Sequence, residues 1–228
     1  MKRCLINVGL QNDFITGSLA LKYAPAGHDA QVLIPIINTL AQRNDFDLVV
    51  YSLDWHAPDH ISFVDNQSLY TSQPKRLHVG DHMLVWNSTI GYVRQQLWPR
   101  HCVQHSKGAR LWPTLNRPLS ALYVYKGTVR DIESYSVFGN HERDYDTGLH
   151  RLLQTFGVGY VYFTGIAEDT CVGHSALDAL RLGYNVTVIE DATRGMNEEN
   201  CASMKHVILE HDGQYRRSHD VITSFNTL

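Results

Sequence analysis

Four side chains able to do chemistry fall at the ends of apolar runs in this sequence. Cys171 follows the β-branched and aromatic run Tyr160–Thr164, which reads as a buried strand closed by Gly165. From Val172 the spacing turns helical, with Ala176, Leu177, Leu180 and Leu182 crowding one face and Gly183 as the stop. A thiol at the first turn of that helix feels free backbone N–H groups and the positive end of the helix dipole, both of which favour thiolate. Asp54 and His56 follow the apolar run 47–53, and Lys126 follows the run 121–125. A carboxylate, an imidazole, an amine and a thiol at one rim are a set for nucleophilic or metal-assisted chemistry.

The elements that must position these groups alternate along the chain. Strands are expected over Cys4–Val8, Asp47–Leu53, Ala121–Tyr125, Tyr160–Thr164 and Asn185–Glu190, with a short last one at Val221–Ser224. Helices are expected from Ala30 to about Leu40, over Thr147–Phe156, after Cys171, and from Glu198 to Glu210. Asp29 caps the first of these, and Pro35 inside it predicts a kink or a late start. Leu10–Phe14 reads as loop. The segment from about 57 to 97 has poor periodicity and several breakers, which marks a long insertion carrying minor elements. Continuous apolar strands alternating with helices predict an α/β fold, a doubly wound and mostly parallel sheet with helices on both faces, in a single domain over 1–228. Ligands of such sheets bind beyond the carboxyl ends of the strands, where the four reactive groups lie.

Composition limits the alternatives. A net charge of −3 leaves no electrostatic footprint for nucleic acid or an anionic membrane, and no apolar run approaches a membrane span. The basic, then apolar N-terminus is too short for a secretory signal and continues into a turn. Four scattered cysteines form no zinc-finger pattern, so a reducing, cytoplasmic compartment is the simpler reading, with Cys4, Cys102 and Cys201 structural. Thirteen histidines give mild support to a metal site.

Five segments in order carry a family resemblance: LQNDF (Leu10–Phe14), SLDWHAPDHISF (Ser52–Phe63), WPRHCVQHSKGA (Trp98–Ala109), YKGTVRDIESYSVF (Tyr125–Phe138) and the stretch Gly165–Gly195. The chain resembles the nicotinamidases of the isochorismatase-like cysteine hydrolase family. The resemblance implies hydrolysis of a small carboxamide, nicotinamide, by a thiol nucleophile, Cys171, with Lys126 beside it. It implies an oxyanion hole from the backbone N–H groups of Ala167 and Cys171, with a cis bond between Ile166 and Ala167. It implies metal ligation by Asp54, His56 and His101, with zinc as the default and iron or manganese also suited to that ligand set. Asp54 and His56, two apart on an extended strand end, share a face. His60 and His105 are not assigned. Phe14, Trp98 and Tyr135 are the candidates for walls around a flat ring. Self-association is common in the family, so a homo-oligomer is compatible with this reading.

One position departs from the pattern. The family motif at the first strand end is Asp-x-Gln-Asn-Asp-Phe, and its first Asp completes the catalytic triad; here that residue is Gly9. Proton shuttling by such a group is worth roughly 10²–10⁴ in rate. Its loss would leave Lys126 without its carboxylate partner, so that the amine deprotonates or pairs directly with Cys171. Asp13, Glu168 and Asp169 offer no convincing replacement. Three readings stay open: an impaired hydrolase, a catalytically dead relative that binds metal and nicotinamide-like rings as a sensor or partner protein, and an Asp-to-Gly variant of an ordinary member. Restoring Asp at position 9 is expected to raise the rate by at least about tenfold.

Overall fold

A computed structural model describes residues 1–71, 76–87, 91–140 and 145–225. The central sheet is built from β1 (Lys2–Val8), β2 (Leu48–Asp54), β5 (Leu122–Lys126), β8 (Val158–Ile166), β9 (Asn185–Arg194) and β10 (Gln214–Arg216). Their order is β10-β9-β8-β1-β2-β5, and every neighbouring pair is parallel. Two short antiparallel pairs stand apart from it: β3 (His82–Asn87) with β4 (Gly91–Gln96), and β6 (Gly139–Asn140) with β7 (Tyr145–Asp146).

The alternation of side chains along each strand feeds two cores, one on each face. Leu5, Val49, Tyr51 and Tyr162 point to one face, where α2 (Leu33–Ala41) packs through Leu33, Ile37 and Leu40 and α6 (Ser218–Phe225) through Val221 and Phe225. Cys4, Ile6, Val50 and Val161 point to the other. It is covered by α3 (Leu149–Phe156), α4 (Gly173–Arg181) and α5 (Glu198–Glu210), through residues such as Leu153, Ala176 and Ile208. The doubly wound, mostly parallel architecture read from the sequence is the one the chain adopts.

Several boundaries differ from expectation. Leu10–Phe14 is not all loop: Gln11 accepts from the N–H groups of Phe14 and Ile15, closing a one-turn helix, α1 (Asn12–Ile15). Asp29 caps as expected, accepting from Gln31 N, but it caps a 3₁₀ turn (Ala30–Val32), and α2 starts only at Leu33. Pro35 therefore sits in the first turn of the α-helix, where its missing N–H costs nothing. Strand β8 runs past Gly165 to Ile166. A wide π-type turn over Glu168–Val172 then precedes α4.

The expected strand at Val221–Ser224 lies inside α6. Its Ser218 places both N–H and hydroxyl on the Asp191 carboxylate. Val221, Ile222 and Phe225 then fall on the core side at helical spacing, which overrides the local β-branched cue. The insertion carries a 3₁₀ turn (Val64–Leu69) and the β3–β4 hairpin. Ile61, Leu77, Met83, Val85 and Leu97 form a small core of their own beneath them. Residues 72–75 and 88–90 of the insertion lie outside the described set.

Candidate active site

The reactive residues meet at the carboxyl ends of the central strands. Asp54 is the last residue of β2 and Lys126 the last of β5, and the parallel register sets them directly opposite each other. Cys171 lies in the π-type turn that follows β8. All three are buried.

The LQNDF motif fixes this rim from below. Gln11 Nε2 donates to the carbonyls of Asp54 (2.8 Å) and Ala109 (2.9 Å), and its Oε1 accepts from Asp54 N at 2.8 Å. Asp54 is thus gripped on both of its backbone groups. Asn12 donates to Lys107 O, and the Asp13 carboxylate accepts from Cys102 N at 2.7 Å. His56 N donates to Cys102 O, and Gln104 N donates back to His56 O. These bonds bring the loop that carries His101 against the end of β2.

Lys126 is enclosed by acceptors. Its Nζ lies 2.6 Å from Asp54 Oδ1, and it donates to Ser134 O at 3.0 Å and to Cys171 Sγ at 3.4 Å. Two of these contacts are hydrogen bonds and the third is an ion pair, since Asp54 Oδ1 is buried without a hydrogen bond among the described residues. Burial alone would strip its charge. Asp54, the thiol and Glu133 outweigh that, and the amine is held charged well above its ordinary range. The expectation that Lys126 loses its carboxylate partner is therefore corrected: the partner comes from β2 rather than β1.

Cys171 also differs from expectation. Burial pushes its thiol up to about 11; Lys126 pulls it down, while Asp54 and Glu133 push it up. These side chains by themselves hold it as a thiol at neutral pH.

Asp54, His56 and His101 form a buried group able to hold a cation. Asp54 Oδ2 is 3.5 Å from His56 Nε2 and 3.9 Å from His101 Nε2, separations suited to ligands sharing one small ion. The second nitrogen of each ring is engaged: His56 Nδ1 lies 3.0 Å from Gly127 O and His101 Nδ1 lies 2.7 Å from Pro99 O, which turns each Nε2 inward. His56 Nε2 is buried and has no hydrogen-bond partner among the described residues. These donors fit a divalent cation. Gly127 adopts φ +60°, and a β-carbon there would stand 2.4 Å from His56 Cε1. A glycine is needed for the imidazole to lie where it does.

The sequence reading left His60 unassigned and did not name Glu133. With His56 they form a second buried group of metal-ligand type, and the His56 and His60 rings lie 4.2 Å apart. Burial lowers His60 to about 3. Glu133 is held below its usual value because the imidazoles and Lys126 outweigh its burial. Nothing local in the Tyr125–Phe138 motif sets Glu133 apart from Asp131, so no sequence signal pointed to it. His105 lies against the Trp55 ring, outside the cation group.

A narrow pocket opens on Cys171. Phe14, Trp98 and Tyr135 all line it, with Asp54, His101 and Ala167, so each sequence candidate reaches it. Trp98 Nε1 donates to Tyr135 OH at 3.0 Å, and Phe14 packs on the His101 ring. Leu19, Leu21, Ile166 and Met196 complete an apolar wall that the motifs did not reveal. A wider polar cleft behind Tyr135 shares Glu133 and Tyr135 with this pocket but excludes Cys171, so the chemistry belongs to the smaller one. The Ile166–Ala167 peptide bond is cis.

The other carboxylates near the motif are committed elsewhere. Asp13 holds the Cys102 loop, and Asp169 accepts from the N–H groups of Met196 and Asn197. Gly9 has φ +63°, and a β-carbon on it would meet Ile166 O at 2.5 Å. The backbone as folded does not admit an aspartate there without moving.

Comparison with known proteins agrees with this geometry. The isochorismatase domain family is matched over residues 3–214. A nicotinamidase of Acinetobacter baylyi is 39% identical over 206 residues, covering 90% of this chain and 86% of its own. The solved Acinetobacter baumanii nicotinamidase pyrazinamidease superposes with a TM-score of 0.82 at 34% identity, covering 96% of this chain and 98% of its own. Pyrazinamidase of Pyrococcus horikoshii, solved in complex with zinc, superposes with a TM-score of 0.73 at 28% identity, covering 95% and 99%.

Proposed function

The chain belongs to the isochorismatase domain family, and on that premise we propose that it hydrolyses nicotinamide to nicotinate and ammonia through a thioester on Cys171. The observation that carries this reading is the 3.4 Å approach of the buried Lys126 Nζ to Cys171 Sγ, a thiol that lines a pocket walled by Phe14, Trp98 and Tyr135.

In this reading the sulfur attacks the carboxamide carbon, and its proton passes to the leaving nitrogen as ammonia departs. Water then attacks the thioester carbon, releasing the carboxylate and restoring the thiol. The ammonium of Lys126 favours the thiolate as it forms. The backbone N–H groups of Ala167 and Cys171 would receive the oxyanion. The aromatic side chains would hold the ring flat.

Asp54, His56 and His101 would hold a divalent cation, zinc by likeness to the Pyrococcus horikoshii protein, with iron or manganese also suited to those donors. When bound, it would supply an electron-pair acceptor for the ring nitrogen of the substrate. The free, buried Cys4, Cys102 and Cys171 suit a reducing cytoplasmic setting. Among the described residues no helix is long and apolar enough to cross a membrane.

Without a carboxylate at position 9, turnover should be slower than in a relative that carries one, within the roughly 10²–10⁴ span of acid–base assistance. The test is ammonia release from nicotinamide by the purified, metal-supplemented protein. Release that depends on Cys171 supports the reading; no release over hours at micromolar enzyme overturns it.

A further inference from the structure

The sheet has a second end, away from the reactive rim. Near the amino ends of β1, β8 and β9, beside the end of α6, lies a cleft of about 440 Å³. That volume is in the range of small-molecule sites. Arg3 and Arg216 line it, with Tyr160, Tyr162, Thr187 and Phe225. We propose that this cleft binds a phosphate monoester, its phosphate held between the two guanidinium groups and the hydroxyls of Tyr162 and Thr187.

Three observations carry it. Two cations meet there without a carboxylate to neutralise them. The Arg3 guanidinium lies 4.4 Å from the centre of the Phe225 ring, and Arg216 donates to the neutral acceptors Asp220 O (3.0 Å) and Ser224 Oγ (3.4 Å). Neither guanidinium has an ion pair among the described residues. Asp212 is the one acid among the lining residues, and Asp47 accepts from the backbone N–H of Arg3 without lining the cleft. Two fixed positive charges suit a dianion, and a phosphate monoester carries close to two negative charges at neutral pH.

The two hydroxyls point the same way. Tyr162 and Thr187 are direct partners across β8 and β9, and each is only 8% exposed. Among the described residues neither hydroxyl has a hydrogen bond. Nearly buried polar groups are costly unless something meets them, and both of these line the cleft. Burial raises the Tyr162 phenol and both guanidiniums pull it down, so both charges bear on one hydroxyl. Size is the third observation. A phosphate group alone would leave much of the cleft open, and the Tyr160 ring, 40% exposed, offers the rest of the ligand an aromatic surface.

The test is calorimetry on the unmutated protein with adenosine monophosphate, adenosine and inorganic phosphate. The monophosphate should bind at least about tenfold more tightly than adenosine and should weaken as salt is raised. Inorganic phosphate should displace it, with lower affinity. Equal binding of adenosine and its monophosphate, or no binding of the monophosphate at millimolar concentration, overturns the proposal. Phosphate binding as tightly as the monophosphate overturns the monoester and leaves free phosphate as the ligand.

Arg216→Gln should weaken the monophosphate at least about tenfold. Arg216 also bonds α6, so a second variant spares the fold: Tyr162→Phe removes a hydroxyl that no described residue bonds. Its melting temperature should hold while monophosphate affinity falls severalfold. Unchanged affinity in either folded variant overturns the proposal. Ammonia release by Tyr162→Phe should match the parent, because the cleft shares no lining residue with the pocket at Cys171. These binding readouts need no turnover, so they stand or fall apart from the hydrolase reading.

Discussion

The α-carbon of Gly9 faces the carbonyl oxygen of Ile166 so closely that a β-carbon would stand 2.5 Å from it. Gly9 also adopts φ +63°, a region that costs other residues about 1–2 kcal/mol. We predict that Gly9→Ala lowers the melting temperature by several degrees. Gly9→Asp should do at least as much and should fail to raise the rate of ammonia release. Melting curves and an ammonia assay on both variants check this; an Asp variant that is stable and faster would show that the rim can reshape around a side chain.

A second prediction concerns the nucleophile. Cys171→Ala should reduce kcat by roughly 10³-fold or more, as losses of a covalent nucleophile do. Its melting temperature should change little, because the thiol's one described side-chain bond is accepted from Lys126. Rapid acid quenching of the unmutated enzyme should trap a nicotinoyl adduct at Cys171 by mass spectrometry. Turnover surviving the alanine substitution would remove Cys171 from the reaction.

Metal content is a third measurement. Protein purified without chelator should carry about one divalent ion per chain, as expected for a single three-residue ligand set. His101→Ala should lower its affinity by an order of magnitude or more. Elemental analysis after dialysis decides. Equal metal content in the two proteins would move the ion elsewhere, and the His56, His60 and Glu133 group would then be the first place to look.

The buried imidazoles set a pH dependence whose sign can be worked out. Burial and the neighbouring His56 lower His101 to about 4 and His60 to about 3, both from 6.5. Each is neutral in the folded protein and gains its proton more readily when unfolded. Their contribution is therefore present above about pH 6.5 and is lost as pH falls towards their folded values. In metal-free protein these two imidazoles should make the unfolding free energy fall below pH 6.5, by up to about 2.7 kcal/mol per pH unit if two protons are taken up, while His56, which Glu133 and Asp54 raise against its burial, adds a loss of opposite sign above pH 6.5. Urea melts between pH 4 and 7.5 check this. His101→Asn should show a shallower fall; an identical slope would mean that His101 does not titrate as described.

The aromatic wall gives a fifth prediction. Trp98→Phe removes the donor to Tyr135 OH but keeps a ring. KM for nicotinamide should rise severalfold with a smaller change in kcat, the pattern of lost ground-state binding. A kcat effect larger than the KM effect would place Trp98 nearer the chemistry than the pocket suggests.

Much of this was legible in residue order. Continuous apolar runs rich in β-branched and aromatic residues, such as Val49–Tyr51 and Val161–Phe163, read as strands buried on both faces, and their alternation with helical segments points to a parallel sheet between helices. Cys171, Lys126 and Asp54 then follow as strand-end residues. What could not be read was register. Nothing local in DLVVYSLD or LYVYK says that Asp54 and Lys126 stand opposite each other, so Asp54 was given to the cation alone and Lys126 was left without a partner. Glu133 was missed because its burial comes from residues distant in the chain. The Val221–Ser224 error arose because a β-branched pair outweighed the Ser218 contact with Asp191, a bond 27 residues away in sequence.

The double grip of Gln11 on Asp54, extended to Ala109, has a consequence for how the molecule comes together. Three stretches widely separated along the polypeptide are sewn by one uncharged amide. No fragment ending before that third stretch can set the aspartate in place, however well its strands pair. The reactive rim therefore needs all three stretches docked at once. A proteolytic cut near Ala109 should silence it while leaving most of the sheet intact.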